Sequence, residues 1–299
     1  MKRIIILFLM AGAMAAGAQI IRIDSGSNWR KSFKAALNLN QASFSSNWKS
    51  GGVNSLGFNT LMNYKVNYKT ATTTWDNEID FLYGMVNNAG QGYRKTLDRI
   101  YLDTKYGSKV NEKWDMFMAL NFQTQWAPGY KYSIDAGGVE RATRISGFLA
   151  PGFITTSFGF EYKPQKFFSL RLSPFAPRLT IVRNSEDYVA VDPVAPYGVK
   201  VGETIRYEWL SAQILADFNK DIATNINLKF RYLMFANYET LSLKNVDQRL
   251  DVNLTAKVNR FINVNLGSIL LYDIDQDTGL QLSQAFSIGV LYTFRNFEK

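Results

Sequence analysis

The sequence WDMFMALNFQTQW, which runs from Trp114 to Trp126, alternates apolar residues with mostly polar ones. Successive side chains of a β-strand point to opposite faces, so this alternation predicts a strand with one apolar face. A strand of this length spans about 40 Å, and at a tilt of about 40° it rises about 30 Å. That rise equals the thickness of the apolar core of a bilayer.

A long edge strand of a soluble sandwich would show the same alternation. The tryptophan at each end of the apolar face favours a membrane strand instead, because aromatic girdles mark both interfaces of outer-membrane barrels. We therefore expect Trp114 and Trp126, together with Trp75 on a neighbouring run, to anchor the protein at the membrane interfaces.

Eleven further stretches alternate in the same way, so the sequence predicts twelve strands. The predicted strands are 32–41, 54–69, 75–85, 96–106, 114–126, 153–162, 167–182, 204–218, 222–238, 247–258, 261–273 and 282–294. Long and short connections follow one another, as in an outer-membrane barrel with short periplasmic turns and longer extracellular loops. We expect an all-β fold, a single antiparallel transmembrane β-barrel of about twelve strands over residues 32–299.

Several connections are specific enough to be checked. The predicted connections include the loop 87–92 and the joints 163–166, 219–221 and 274–281. Pro174 and Pro177 fall inside the seventh predicted strand. Because proline cannot donate a hydrogen bond to the ladder, we expect a bulge or bend there.

The N-terminus predicts export. Lys2 and Arg3 precede an apolar segment, and Ala16-Gly17-Ala18 has the small-residue pattern of a cleavage site. We expect residues 1–18 to be a signal peptide and residues 19–31 a short periplasmic tail. The aromatic C-terminus, which includes Tyr292 and Phe294, is typical of the segment that the barrel-assembly machinery recognises.

Composition excludes several classes of site. The chain has 299 residues, a formal net charge of +9 and no cysteine, so disulfides and thiolate metal sites are excluded. A basic balance on an exported barrel favours contact with anionic headgroups of outer-membrane lipid or with an anionic solute over nucleic acid, and a plain solvated surface is an equal alternative. We expect no cofactor.

Three motifs resemble a known family. They are Trp48-x-x-Gly51-Gly52, the block TTTWDNEIDFLYGMVNN at 72–88, and KTLDRIYLDTKYG at 95–107. They resemble the outer-membrane barrels catalogued as domain of unknown function 3078, most strongly over residues 44–126. The resemblance implies an outer-membrane β-barrel, and since the family has no assigned activity it implies no functional residues.

The absence of histidine bears on catalysis. The known barrel phospholipases, lipid A deacylases and omptin-type proteases all use an imidazole to take up a proton near neutral pH. With no histidine in the sequence, none of these mechanisms can operate. We therefore expect a protein that is not an enzyme.

Charged residues on the predicted inner faces form the main candidate site. Asp76, Glu78 and Asp80 make an acidic row on one strand, which predicts either a functional site, namely a cation site or an acid/base pair, or cross-strand ion pairs. The second interpretation is favoured because cations follow the same inner phase on other strands. These cations are Lys65, Lys69, Arg99, Lys105, Lys229 and Arg231.

The run Asp273-x-Asp275-x-Asp277-Thr278-Gly279 partly matches a calcium loop. Its glycine is one position late, and Gln284 stands where a bidentate glutamate is required, which favours a solvated hairpin loop. Two functions then remain for the barrel. The first is a narrow pore or small-solute conduit, and the second is a closed accessory barrel that binds partners or surface material through its extracellular loops.

Overall fold

The computed structural model describes residues 19–21, 27–45, 53–259 and 261–297. Over these residues twelve antiparallel strands form a closed barrel, which confirms the predicted fold class. Strands β1 to β6 are Trp29–Ala42, Ser55–Lys69, Thr73–Asn88, Gly92–Lys109, Trp114–Thr124 and Gly152–Gln165. Strands β7 to β12 are Phe168–Phe175 with Arg178–Ile181, Ile205–Glu208 with Ser211–Ala223, Ile226–Asn237, Val246–Lys257, Ile262–Asp273 and Asp277–Arg295. The described residues contain no helix long and apolar enough to cross a membrane.

Pairing of the first strand with the last closes the ring. β12 lies antiparallel to β1, from Ile288 opposite Leu39 to Arg295 opposite Ser32. A short N-terminal strand, Gln19–Ile21, runs parallel to the end of β12. Because each barrel strand has a partner on both sides, the ring has no open edge. A closed ring is the arrangement that a sheet requires in order to satisfy its backbone inside a bilayer.

The two faces of β5 follow the predicted alternation. Met118 and Leu120 are 51% and 47% exposed on the outside of the barrel, whereas Phe117 and Ala119 are 4% and 5% exposed on the inside. Other strands show the same outer apolar surface, with exposed Leu39, Phe160 and Phe286 among many. This belt of apolar side chains is the surface that a membrane-spanning barrel presents to lipid.

Several predicted strand limits are wrong, all in the same direction. β3 and β4 leave only residues 89–91 as a turn, and β11 and β12 leave only 274–276. Asn219 pairs with Lys229 inside the β8–β9 ladder, so that turn lies at 224–225 rather than at 219–221. β6 likewise runs to Gln165. These strands continue beyond the apolar belt, where polar residues fit either face and the alternation no longer marks the strand.

The ends of other predicted segments also shift. β1 begins at Trp29, inside the segment predicted as a tail, and β5 ends at Thr124, so Trp126 lies beyond the strand. The predicted signal peptide and the residues Trp48, Gly51 and Gly52 lie outside the described residues.

The prolines interrupt β7 as predicted. The strand stops at Phe175 and resumes at Arg178. Across the break the Ala176 amide donates to the Ser211 carbonyl at 2.7 Å, and the Pro177 carbonyl accepts from Thr156 at 3.0 Å. The bend therefore keeps most of its backbone groups paired although proline has no amide hydrogen.

The two ends of the barrel differ. At the turn end, connections are as short as 70–72, 166–167 and 224–225, whereas the segments 125–151 and 182–204 lie at the loop end. The first of these segments contains a hairpin, Gly129–Ile134 with Glu140–Ser146, and the second contains two 3-10 turns. The two segments share a buried apolar cluster, the loop core, which consists of Ala150, Val182, Tyr188, Tyr197 and Val199.

The outer face of β5 provides a direct test of the membrane assignment. Met118→Arg should destabilise the protein by about 2–4 kcal/mol, because it places a charge against lipid near the bilayer midplane. Asn121→Arg, on the inner face, should cost much less. Refolding into phospholipid vesicles along a denaturant titration measures both values, and equal penalties would mean that the two faces are reversed.

Candidate functional site

The alternation that directs apolar residues outward directs the charged residues of the same strands into the lumen. On β3 the inner positions are Asp76, Glu78 and Asp80, and the last two are buried. Buried carboxylates are stable only when they are paired or hydrogen-bonded. Their partners come from both neighbouring and distant strands.

Two arginines connect opposite walls of the barrel. Arg231 on β9 donates to Glu78 on β3 at 2.9 Å, and Arg99 on β4 donates to Asp251 on β10 at 3.1 Å. Each of these pairs joins strands that are six positions apart in a ring of twelve. The lumen is therefore bridged across its full width.

Each bridging arginine also holds a carboxylate nearer to its own strand. Arg231 Nε donates to Asp217 at 2.6 Å, and Arg99 Nη2 donates to Asp80 at 2.8 Å. The Arg231 guanidinium also lies 5.0 Å from the ring centre of Tyr101. We call these bridged residues the central layer, which consists of Glu78, Asp80, Arg99, Asp217, Arg231, Arg249 and Asp251.

A second group of ion pairs lies toward the turn end on the wall formed by β3 to β7. Lys105 pairs with Asp76 at 3.0 Å and also with Glu161, and Lys163 pairs with Asp115 and, at 3.2 Å, with Glu161. Arg171 connects this group to Asp103 at 3.0 Å.

A third group lies at the loop end. Arg178 pairs with Asp247 at 2.8 Å and lies over the ring of Phe235. Arg206 pairs with Asp275 at 2.7 Å, which ties β8 to the turn after β11. Gly198 of the segment 182–204 packs against this pair, at φ +77°, and a Cβ there would lie 1.8 Å from the guanidinium. The segment 182–204 thus packs against the charged mouth.

A cavity of about 30 Å³ lies beside the central layer, against Tyr101, Phe117, Ser157 and Gln213. That volume holds about two or three water molecules. Charged side chains and apolar ones such as Phe117 line this cavity together.

The structure brings together most of the residues predicted for this site, but not all of them. Lys65 pairs with Glu78 at 3.1 Å, and Arg99, Lys105 and Arg231 pair as described above. Lys69 lies at the exposed end of β2, and in the described part of the chain neither it nor Lys229 makes an ion pair.

The three predicted anchors differ in position. Trp75 lies on the outer face and its indole donates to Thr104 at 2.9 Å, and the Trp114 ring lies 4.8 Å from that of Tyr162. Trp126 is 61% exposed beyond β5 at the loop end.

Sequence reasoning missed several site residues. Asp217 follows the inner phase of β8, so the alternation could have identified it, whereas Lys163 falls in a segment predicted as a turn. Arg178 and Asp247 meet from β7 and β10, and no local pattern connects those strands.

The carboxylates that partly match a calcium loop have other partners. Asp273 accepts from the Asp275 amide and from Gln276, Asp275 accepts from Arg206, and Asp277 accepts from the Gly279 amide. No group of three metal-ligating side chains occurs among the described residues.

The loop end also contains well-ordered local structure outside the barrel wall. The Val139 amide, the Arg141 guanidinium and the Gly137 amide donate to Asp135 in the hairpin, and these bonds lower the pKa of its carboxyl. Asp192 accepts from the amides of Ala195 and Val194, which lowers its pKa in the same way.

The bridging arginine should matter for stability. Arg231→Met leaves Glu78 and Asp217 without their guanidinium, so we expect a loss of about 3–5 kcal/mol in the free energy of unfolding. Arg249→Met is the matched control: Arg249 pairs only with Asp251, which keeps Arg99, so the loss should be about 1 kcal/mol. Urea titration in detergent gives both values. A smaller loss for Arg231→Met than for the control would contradict the assigned bridge.

Solved structures similar to this chain are membrane barrels, at very low identity. The translocator domain of the autotransporter NalP from Neisseria meningitidis has 8% identity and a TM-score of 0.39, covering 90% of this chain and 89% of its own. The COG4313 outer membrane channel from Pseudomonas putida F1 has 8% identity and a TM-score of 0.39, covering 94% and 98%. The NanC porin has 8% identity and a TM-score of 0.40, covering 87% and 98%.

Scores this low transfer no function to the present chain. Comparison with curated proteins gives no match. The family model described as protein of unknown function (DUF3078) matches residues 39–130, and over this part of the chain the family resemblance seen in the sequence is confirmed.

Proposed function

We propose that the protein is an outer-membrane channel with a narrow path for small solutes, closed at rest by the central layer. The observation that carries this proposal is the pairing of charged side chains from opposite walls, Arg231 with Glu78 and Arg99 with Asp251. Ion pairs occur in the path near the turn end, at the central layer and near the loop end.

Stability alone is a poor explanation for such an interior. Removing two charges from water costs several kcal/mol per ion, and well-packed apolar residues are often at least as stabilising as a buried ion pair. A barrel of twelve strands has an interior between those of eight-stranded barrels, which side chains fill, and sixteen-stranded porins. Charges retained in an interior of this width support a role in controlling what passes.

The geometry also suggests how the path opens. Arg99 lies between Asp80 and Asp251, and Arg231 between Glu78 and Asp217, so each guanidinium can release one carboxylate while keeping the other. Release of the two cross-wall bonds would open the lumen without leaving an unpaired arginine. Only small solutes would fit through such an opening.

The orientation follows from the lengths of the connections. Outer-membrane barrels place short turns in the periplasm and longer loops outside the cell. We therefore place the turn end in the periplasm and the loop end at the cell surface of a Gram-negative bacterium. Outer-membrane lipid would contact the apolar belt, and the barrel-assembly machinery would insert the exported chain.

A second function is favoured by one observation, the loop core over the charged mouth. If this cover and the central layer never open, the protein is a closed accessory barrel that binds partners through its loops. Electrical recording separates the two functions because only a channel conducts.

The test is conductance of the purified protein in planar bilayers. We expect small openings for the wild type. In the triple variant Asp76→Asn, Glu78→Gln and Asp80→Asn the lumen loses three negative charges, so anion preference should rise and conductance should change. Asp135→Asn, on the hairpin outside the barrel, is the control and should match the wild type.

Two different results would contradict this proposal. Silence of both the wild type and the triple variant would defeat the channel and leave the accessory barrel. Large conductance that the triple variant does not alter would defeat a lumen bridged by ion pairs.

A further inference from the structure

We propose that the lumen holds an anion-binding site on the turn-end side of the central layer, formed by Lys65, Lys229 and Arg231, for a small solute that carries a phosphate or carboxylate group. This site does not depend on conduction. A closed barrel with the same side chains would also bind the anion.

The position of the cations is the first argument. Lys65 lies on β2 and Lys229 on β9, five positions apart round the ring, so they approach from nearly opposite walls. Lys65 pairs with Glu78 at 3.1 Å, and Lys229 lies two residues from Arg231 on the same face of β9, within electrostatic range of Glu78 and Asp80. Three cations thus converge on one carboxylate.

Both oxygens of the shared carboxylate, Glu78, already have partners. One oxygen of Glu78 accepts from Asn63 at 2.7 Å and pairs with Lys65 at 3.1 Å, and the other accepts from Arg231 at 2.9 Å. Lys229 makes no hydrogen bond or ion pair among the described residues. Because the Glu78 oxygens have other partners, the Lys229 ammonium feels Glu78 and Asp80 only at electrostatic range and makes no direct contact with either.

The other nearby carboxylates also have partners of their own. Asp217 is held by Arg231 at 2.6 Å, Asp80 by Arg99 at 2.8 Å, and Asp221 accepts from Asn227 at 2.8 Å. Two more inner-phase lysines, Lys69 and Lys257, end their strands at the rim, and neither makes an ion pair in the described part of the chain. Lys69, Lys229 and Lys257 therefore lie toward the turn end with no ion pair among the described residues.

The chemistry of these groups indicates the class of ligand. A lysine ammonium is a compact point charge on a flexible stem, and arginine presents paired donors that match phosphate and carboxylate oxygens. A cleft lined by one sign of charge concentrates ions of the opposite sign. The central layer closes the far side, so the solute must be small and must enter from the turn end.

The test is calorimetric titration of the refolded protein in detergent with inorganic phosphate at low ionic strength. We expect saturable binding to the wild type and a loss of about tenfold in affinity for Lys229→Gln, which removes one charged donor. Lys229→Arg should retain binding. Lys220→Gln is the matched control, because Lys220 lies on the outer phase of β8, over the ring of Phe167, and its loss should leave the affinity unchanged.

Circular dichroism and heat-modified gel mobility would verify that each variant folds. Three results would overturn the site: no binding to the wild type, equal affinities for Lys229→Gln and the wild type, or an equal loss in the Lys220→Gln control. Potassium chloride at matched ionic strength should not reproduce the heat of phosphate binding. If it does, the effect is general screening and the site is refuted.

Discussion

A sheet inside a bilayer must leave no backbone amide or carbonyl unpaired, and the rest of this structure depends on that constraint. The ladder between β12 and β1 meets it by closing the ring. The ring closes with twelve strands, and the number of strands sets the width of the interior. It also fixes which strands face each other across the lumen, so the contacts between opposite walls are consequences of the ring.

The same alternation then creates a second problem. Each apolar residue directed to lipid is followed by one directed inward, and in this chain many of the inward residues are charged. Arg99 and Arg231 resolve the problem by holding carboxylates on two walls at once. One set of side chains therefore limits the passage and satisfies the buried charge.

The sequence predicts the features that depend only on residues close in the chain or on adjacent strands. The β5 alternation, the interruption of β7 at its prolines and the pairing of Asp76, Glu78 and Asp80 with cations on adjacent strands all rest on local geometry. The cross-wall partners of Glu78 and Arg99 lie more than 150 residues away in sequence. These residues meet only because the ring closes and because they lie at the same level along the barrel axis. No spacing along the chain encodes either condition. Strand ends beyond the membrane were missed because lipid no longer selects the outward residues there.

The central claim is that the lumen is bridged between opposite walls. A double-mutant cycle on Glu78→Gln and Arg231→Gln measures that bridge directly, with the free energy of unfolding in detergent as the readout. The account predicts a coupling energy of about 1–3 kcal/mol between residues whose strands are half a ring apart. Additive effects of the two substitutions, within about 0.5 kcal/mol, would contradict it.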